Sequence, residues 1–469
     1  MHQHAQRMCP SWLVSSLEKR GRAVLRGLTI ATLTGSGLLA SFDAVAQTPI
    51  QASGELTEEQ LPTLQLSLTE AIQAALDNNP NIRLFRERIL AAKSASRTQL
   101  GALLPNVAST GKFNNQTFFL GTIGGAPVRT DPFDIVDGRA SMTQSLFSLS
   151  LINRWRASRS AFEVAELESA TSKNDTGASV GLHYFETLRH QETLAARRAN
   201  VALYEDLVDF VKSRQSGGMA MGLDTARLES QLENERQRLE IARGDMERAK
   251  LILLNTIGIG FDAKLALTDE MKGYDGAIPH LESALETALS ERPEMKAQLQ
   301  RIRTAELTLS AAKGERLPSL SGQGDYGLIG NKIDNNLGTY NVGVLLSVPI
   351  YDGGQREGRI GEVHSQLNQE TIKLALVKNQ VIMELREALV TLKASMEQLR
   401  IAKNGLTASM TELTLARERF RVLSSNTLEL SNALFSLVRA RDNMIDALFR
   451  VNASRVNLAR ARGEAAAIR

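Results

Sequence analysis

The sequence predicts a mainly α-helical protein with a small transmembrane β part, written as two copies of one unit. Three observations predict it. Landmarks that begin at Leu68 recur in order from Leu281, an offset of 213 residues. Four short segments alternate apolar with polar or small residues, a membrane-strand pattern. Helical stretches up to about 67 residues long lie between them, too long for a compact domain. Four strands cannot close a barrel in lipid, so several chains must share one.

Taken in order, residues 1–46 are expected to be a targeting segment. Lys19, Arg20, Arg22 and Arg26 precede a modest apolar run from Leu28 to Phe42, and Ala44-Val45-Ala46 supplies a small-x-small cleavage site. Thr29, Thr32, Thr34 and Gly35 to Gly37 make the run a poor membrane span. Residues 47–65 read as an N-terminal extension. The presequence carries five of the 55 Lys and Arg and two of the 52 Asp and Glu, so the remainder is electrically neutral. Neutrality gives no argument for nucleic acid or another polyanionic partner. The single cysteine, Cys9, lies before the apolar run, which leaves neither a disulfide framework nor a well-placed lipidation site. No later stretch approaches the roughly 20 apolar residues of a membrane helix. Any entry into a membrane is therefore expected through strands.

The first repeat spans 66–270 and the second 278–463. Leu68–Leu76 matches Leu281–Leu289, Pro80 falls on Pro293, Ala92 on Ala305, and Leu104-Pro105 on Leu317-Pro318. Further along, Leu146-Phe147 falls on Ile350-Tyr351 and Leu223-Asp224 on Leu428-Glu429, at an offset of 204 to 205. The first copy therefore holds about nine extra residues between the two zones. Each repeat opens with a short amphipathic helix, Leu68–Asp77 or Leu281–Ser290, that stops before a proline. Helices at 82–103 and 295–316 follow, ended by Pro105 and Pro318. Long helices are expected at about 150–214, 222–257, 356–422 and 427–462, as two hairpins over 150–257 and 356–462. In 360–420 the apolar residues step by three, four and seven, a heptad seam, with an extra step of four at 381, 385 and 389. Such a stutter locally unwinds a coiled coil.

The strands are expected at about 107–119, 136–147, 319–329 and 339–349. On one face lie Val136, Gly138, Ala140 and Met142, then Leu320, Tyr326 and Leu328, then Tyr340, Val342, Val344, Leu346 and Val348. On the other lie Asp137, Arg139, Ser141 and Thr143, Gln323 and Asp325, and Asn341. The first segment is weaker, with Val107, Gly111 and Phe113 aligned. A half-buried sheet in a soluble protein shows the same alternation. Here, however, each strand pair is entered and left by helices too long to wrap a compact sheet. Two chains would pool eight strands and three would pool twelve.

Val348-Pro349-Ile350-Tyr351-Asp352-Gly353-Gly354-Gln355-Arg356 resembles the strand-to-helix junction of the TolC family of outer-membrane channels, with Pro349, Gly353 and Gly354 at its turn. Ser145-Leu146-Phe147-Ser148 resembles the degenerate counterpart in the first repeat. With the repeat starts and the hairpin tips at 218–232 and 420–433, the resemblance covers about 66–463. It implies a homotrimer in which twelve strands form one outer-membrane barrel in contact with lipid. Twelve long helices would form an α-helical barrel across the periplasm. It further implies a passive exit duct for efflux or type I secretion, opened by a periplasmic adaptor and driven by an inner-membrane pump or ABC exporter. A poreless periplasmic coiled-coil scaffold or adaptor is the alternative.

The resemblance places gate and docking residues at the tips. Gly218, Met221, Gly222 and Leu223 precede Asp224 in the first tip, and Leu423, Ser425 and Leu428 precede Glu429 in the second. Glu429 aligns with an acidic ring, and Asn432 stands where a second acid can occur. Leu423 replaces the usual glycine, and Ser425 stands where some members hold a gate-locking arginine. Phe420 flanks the same turn. Glu429 equally suits a capping box with Asn426 at the N-cap, and Asp224 a first-turn acid. No catalytic or cofactor signal emerges. His183, His190 and His364 fall within helical stretches without metal-ligand spacing, and Gly353-Gly354 with Gly358 lacks the Gly-Lys-Ser/Thr of a phosphate loop.

Overall fold

A computed structural model describes residues 63–217, 222–274, 276–422 and 427–468. Strand β1 (Thr63–Leu66) leads into α1 (Leu68–Asn78) and α2 (Pro80–Gly101). Then come β2 (Asn106–Gln116), β3 (Phe119–Ile123), β4 (Ala126–Arg129) and β5 (Phe133–Phe147). Helices α3 (Leu149–Ser216) and α4 (Gly222–Ile257) and strand β6 (Lys264–Leu267) end the first half. The second half holds α5 (Leu281–Glu291), α6 (Pro293–Gly314), β7 (Ser319–Lys332), β8 (Asn335–Ser347), α7 (Gln355–Arg421) and α8 (Thr427–Arg462). Helix lengths repeat between the halves: 11 residues for α1 and α5, 22 for α2 and α6, 36 for α4 and α8. Helices α3 and α7 have 68 and 67 residues, about 100 Å each.

Local chemistry sets the boundaries. Ser67 caps α1 through a reciprocal capping box with Glu70. Helices α2 and α6 begin at Pro80 and Pro293 rather than two residues later as expected. Proline suits the first helical position, where its missing N–H has no partner to lose. The pair β1–β6 is parallel and straddles the edge of the expected extension. Tyr184 of α3 fastens it, donating from its hydroxyl to the Leu66 carbonyl at 3.0 Å and to Asp269 at 2.9 Å.

The main sheet is antiparallel in the order β2-β5-β7-β8. Its register aligns the faces across all four strands. Val107, Met142, Gly324 and Val342 are neighbours, as are Ser109, Ala140, Tyr326 and Tyr340. One residue along, Ala108, Ser141, Asp325 and Asn341 share the opposite face, and Arg139 there pairs with Asp137 at 3.4 Å and with Asp325. Cross-strand pairing thus gives one continuous apolar face and one polar face. Tyr340 and Val342 are 79% and 80% exposed on the apolar face, as membrane-facing side chains in a single chain must be. The expected strand over 107–119 ends at Gln116. Beyond it stands an additional hairpin, β3–β4, turning at Gly124 and Gly125, whose φ angles are +60° and +83°. Two consecutive left-handed residues fit glycine and match strand twist in a tight hairpin. This hairpin occupies the zone of the nine extra residues; β7 and β8 join through Ile333-Asp334 alone.

Below the sheet the helices lie side by side. Near the strands the neighbours run α2-α3-α6-α7, and toward the tips α4-α3-α8-α7, so α3 and α7 span both tiers. From Val381 the inner seam of α7 runs through Leu385, Ala388, Leu392, Ser395, Leu399, Ala402, Leu406, Ser409, Leu413, Ala416 and Phe420, all buried or half-buried. Steps of four and three alternate throughout. The stutter expected at 381–389 is displaced: the repeated step of four is at Val377, Val381 and Leu385, where α7 passes from packing on α6 to packing on α8. Ala388, not Leu389, carries the seam. Alanine and serine every seventh residue let α8 approach closely, as in the 2.9 Å contact of Ser395 and Ser454 hydroxyls.

Candidate functional site at the helix-hairpin tips

An apolar core joins the two hairpins near their ends. Val201, Tyr204, Leu207, Val208 and Val211 of α3 meet Leu228 and Leu232 of α4, Leu413, Ala416 and Phe420 of α7, and Leu430, Leu434 and Leu437 of α8. Higher up, a polar layer crosses the same helices. Arg197 reaches Asp442 at 2.8 Å and Glu235 at 3.7 Å, and Arg238 holds Glu235 at 2.7 Å. Burial, with the Glu235 carboxylate nearby, pushes the Tyr204 hydroxyl up to about 12.

Phe420 is placed otherwise than a gate-lining residue requires. It is 6% exposed, packed against Phe210 with ring centroids 5.8 Å apart, so its ring faces the core and not an opening. Arg214, in the last turn of α3, links the tips by hydrogen bonds. Its guanidinium donates to the Phe420 carbonyl at 3.0 Å and the Arg421 carbonyl at 2.8 Å, the final carbonyls of α7. It lies 4.9 Å from the Phe210 ring centroid and 5.0 Å from that of Phe420. One side chain therefore caps a neighbouring helix and covers two rings. Gln231 and Ser431 add a 3.1 Å hydrogen bond between α4 and α8. The sequence offers one clue to Arg214: a basic residue in a last helical turn, four positions after a phenylalanine.

Glu429, in the first turn of α8, accepts from Arg419 Nη1 at 2.6 Å across the tip. Asn432 is exposed on the stripe of α8 shared with Leu428, Phe435 and Arg439, spaced by four, three and four. Asp224 sits in the first turn of α4, half-buried, beside exposed Gly222 and Leu223. Gly218, Met221, Leu423, Ser425 and the expected cap Asn426 lie outside the described residues.

At the other end of the helices, residues 348–354 link β8 to α7. Gly353 and Gly354 take φ angles of +70° and +84°, and Gly354 is the N-cap of α7. The Asp352 carboxylate accepts from the Arg356 N–H at 3.1 Å and its Nε at 2.8 Å, while Arg356 also donates to the Pro349 carbonyl at 3.3 Å. Glu315, just after α6, bridges Arg154 of α3 at 2.5 Å and Arg359 of α7 at 2.8 Å. Burial opposes its ionisation, but hydrogen bonds from Arg359 and Arg154 outweigh that and hold the carboxyl below its ordinary value of 4.5.

Among the described residues no group of three or more His, Cys, Asp or Glu is placed to hold a metal, and no helix is long and apolar enough to cross a membrane. What the chain presents is a β sheet with one apolar face, joined by a braced junction to long helices that end in clamped tips. The family model "Outer membrane efflux protein" matches residues 71–258 and 284–464, one match on each repeat and well over half of the chain. Outer membrane efflux protein BepC of Brucella suis is 23% identical over 398 residues, covering 82% of both chains. Outer membrane protein TolC of Escherichia coli is 22% identical over 339 residues, covering 69% of this chain and 68% of its own. The crystal structure of the Campylobacter jejuni CmeC outer membrane channel superposes with a TM-score of 0.75 at 17% identity, over 85% of this chain and 86% of that one. The chain therefore belongs to the outer membrane efflux protein family, the TolC-type channels that serve as exit ducts of efflux pumps, with strands in the outer membrane and helices in the periplasm.

Proposed function

We propose that three copies of this chain close one passive duct of twelve strands above twelve helices, gated at the hairpin tips by contacts centred on Arg214 and Glu429. One observation carries the reading: the sheet and the helical layer are both open, and open on the same two sides. Strand β2 and helices α2 and α4 form one edge; β8 and α7 form the other. Unpaired strand edges cost several kcal/mol per backbone group in lipid, so β8 of one copy is expected to pair with β2 of the next. The edge of α7 agrees, since Leu376, Met383 and Val390 are exposed every seventh residue there. Eight strands from two chains would leave an interior filled by side chains, whereas twelve leave a water-filled lumen for the polar face of Arg139, Asp137 and Asp325.

At the tips, Arg214 and the Arg419–Glu429 pair hold the closed state, and three Glu429 carboxylates give the entrance its cation affinity. Phe420 acts from inside, as the ring under Arg214, and Asn432 and Asp224 flank the opening. The adaptor is a helical hairpin that seats in the groove between α7 and α8, a cavity of about 520 Å³ lined by Ala402, Gly405, Ser409, Asn432, Phe435 and Arg439. The tip segments that contain Gly218, Met221, Leu423 and Ser425, with Gly222, Leu223 and Leu428, meet the adaptor and the pump or ABC exporter, which supplies the energy. The test is reconstitution of the purified chain in planar bilayers, with its mass measured in detergent. Discrete conductance steps from a three-chain particle are expected; a single-chain particle without conductance overturns the proposal.

A further inference from the structure

We propose that the β3–β4 hairpin of each chain packs on the β7–β8 turn of the neighbouring copy, as an apolar staple across the subunit boundary at the outer mouth of the barrel. The inference rests on the trimer reading above and adds a contact that pairing of β2 with β8 does not require.

The hairpin is well formed. The Thr130 N–H donates to the Phe118 carbonyl at 2.8 Å, and the Phe118 N–H donates to Thr130 Oγ1 at 2.7 Å, closing its stem. Phe118 and Phe133 rings lie 5.5 Å apart at its base. Above that base its side chains meet almost nothing of their own chain: Phe119 is 72% exposed, Leu120 61% and Ile123 71%. Large apolar side chains clustered in this way mark a contact surface.

Lipid is a poor occupant. All four main strands end in a polar collar: Asn114 to Thr117 on the first, Asp131 and Asp134 on the second, Asn331 and Lys332 on the third, and Asp334 to Asn336 on the fourth. Asn115 Nδ2 donates to Asp134 Oδ1 at 2.8 Å within it. The apolar hairpin stands beyond this collar, at the end of the sheet opposite the helices and so outside the hydrocarbon layer. The remaining occupant is another copy. The hairpin rises from β2, an edge strand, and the opposite edge ends in the β7–β8 turn, where Ile333 is 85% exposed, with Leu337, 74% exposed, the third residue of β8 below it. Joining β2 to β8 brings these two unpartnered apolar sets to the same boundary and the same end. The hairpin belongs to the first repeat alone, so each boundary receives one hairpin and one short turn.

Cysteine pairs test this directly, because Cys9 is the only cysteine in the sequence and falls in the expected targeting segment. In a Cys9→Ser background, Leu120→Cys is combined with Ile333→Cys and, separately, with Leu337→Cys. The expected result after mild oxidation is a dimer and trimer ladder on denaturing gels, lost on reduction. Detergent mass is read in parallel. A three-chain particle that gives no ladder with either pair overturns the staple and leaves the trimer standing. A single-chain particle overturns both.

Discussion

Arg214 is the residue whose removal is expected to loosen the tip. Two hydrogen bonds from a charged donor and two ring contacts hold it, worth together about 2 kcal/mol at this half-buried site. Arg214→Ala is expected to raise single-channel conductance, with Arg214→Lys between it and the parent because a lysine lacks the planar fork that spans two carbonyls. Equal conductance in all three would remove the clamp from the gating account. Glu429 calls for a paired test, since Arg419 offsets its charge. Glu429→Ala is expected to weaken block by multivalent cations and Arg419→Ala to strengthen it; unchanged block in both would mean no acidic ring forms. Glu315 gives a pH dependence. Its folded-state carboxyl titrates below the ordinary 4.5, so the stability it adds is present above that value and is lost as pH falls through the lower folded value. Resistance of the assembly to heat in detergent should fall over that acid window, and less so in Glu315→Gln. Much of this chemistry was hidden in the sequence. Glu429 was visible through its place in the repeat, but the Arg214 partners lie 206 and 207 residues away, a distance that no local spacing encodes. Phe420 was legible as a tip residue, and its burial was not.

Among the elements, the long helices, the four amphipathic strands and the duplication were legible because each rests on a period: 3.5, 2, or the repeat itself. What escaped was carried by residues that those periods ignore. Large apolar side chains alone trace the α7 seam to Leu389, where Ala388 stands, and pass over Ser395 and Ser409. Small residues leave no hydrophobic signal, yet they decide how near two helices come. Ala416→Leu, at a site 4% exposed within the tip core, is expected to cost about 1–3 kcal/mol by overpacking. It should open the tips to limited proteolysis and leave the β-barrel's heat resistance in detergent unchanged; tips as resistant as the parent's would mean that the seam tolerates separation. The β3–β4 hairpin is present in the sequence only as about nine extra residues, and the strand expected over 107–119 reaches just its first residue, Phe119. Its Gly124-Gly125 turn is a tight-hairpin signal that the weak first strand obscured. At the junction, Gly353 and Gly354 follow from backbone geometry. An alanine at either has open space for its Cβ but a left-handed φ, at about 1 kcal/mol each.

The whole molecule is best understood as a wall segment with two unfinished edges. A chain that buried all its apolar surface within itself would have no need of copies. This one leaves Leu376, Met383 and Val390 between 53% and 69% exposed along one face of α7, and leaves the outer edges of β2 and β8 unpaired. Duplication accounts for how that arises: each repeat supplies two strands and two tiers of helix, and four strands remain short of closure however they are joined. The helical edge offers a way to break assembly without disturbing the fold of one chain, because these three side chains touch little within it. Leu376→Glu, Met383→Glu and Val390→Glu together would set carboxylates along the seam between copies, where burying unpaired charge is costly. The expected outcome is loss of the three-chain particle in detergent, with the helical content of the separated chains retained by circular dichroism. A matched triple substitution on neutral exposed positions of the same helix beyond that stripe, Asn404→Glu, Thr407→Glu and Thr411→Glu, adds the same three charges and should leave assembly intact, which separates the effect of the seam from that of added negative charge. If the seam variant still assembles as three chains, then α7 is not the edge that meets a neighbour, and closure must rest on the strands alone.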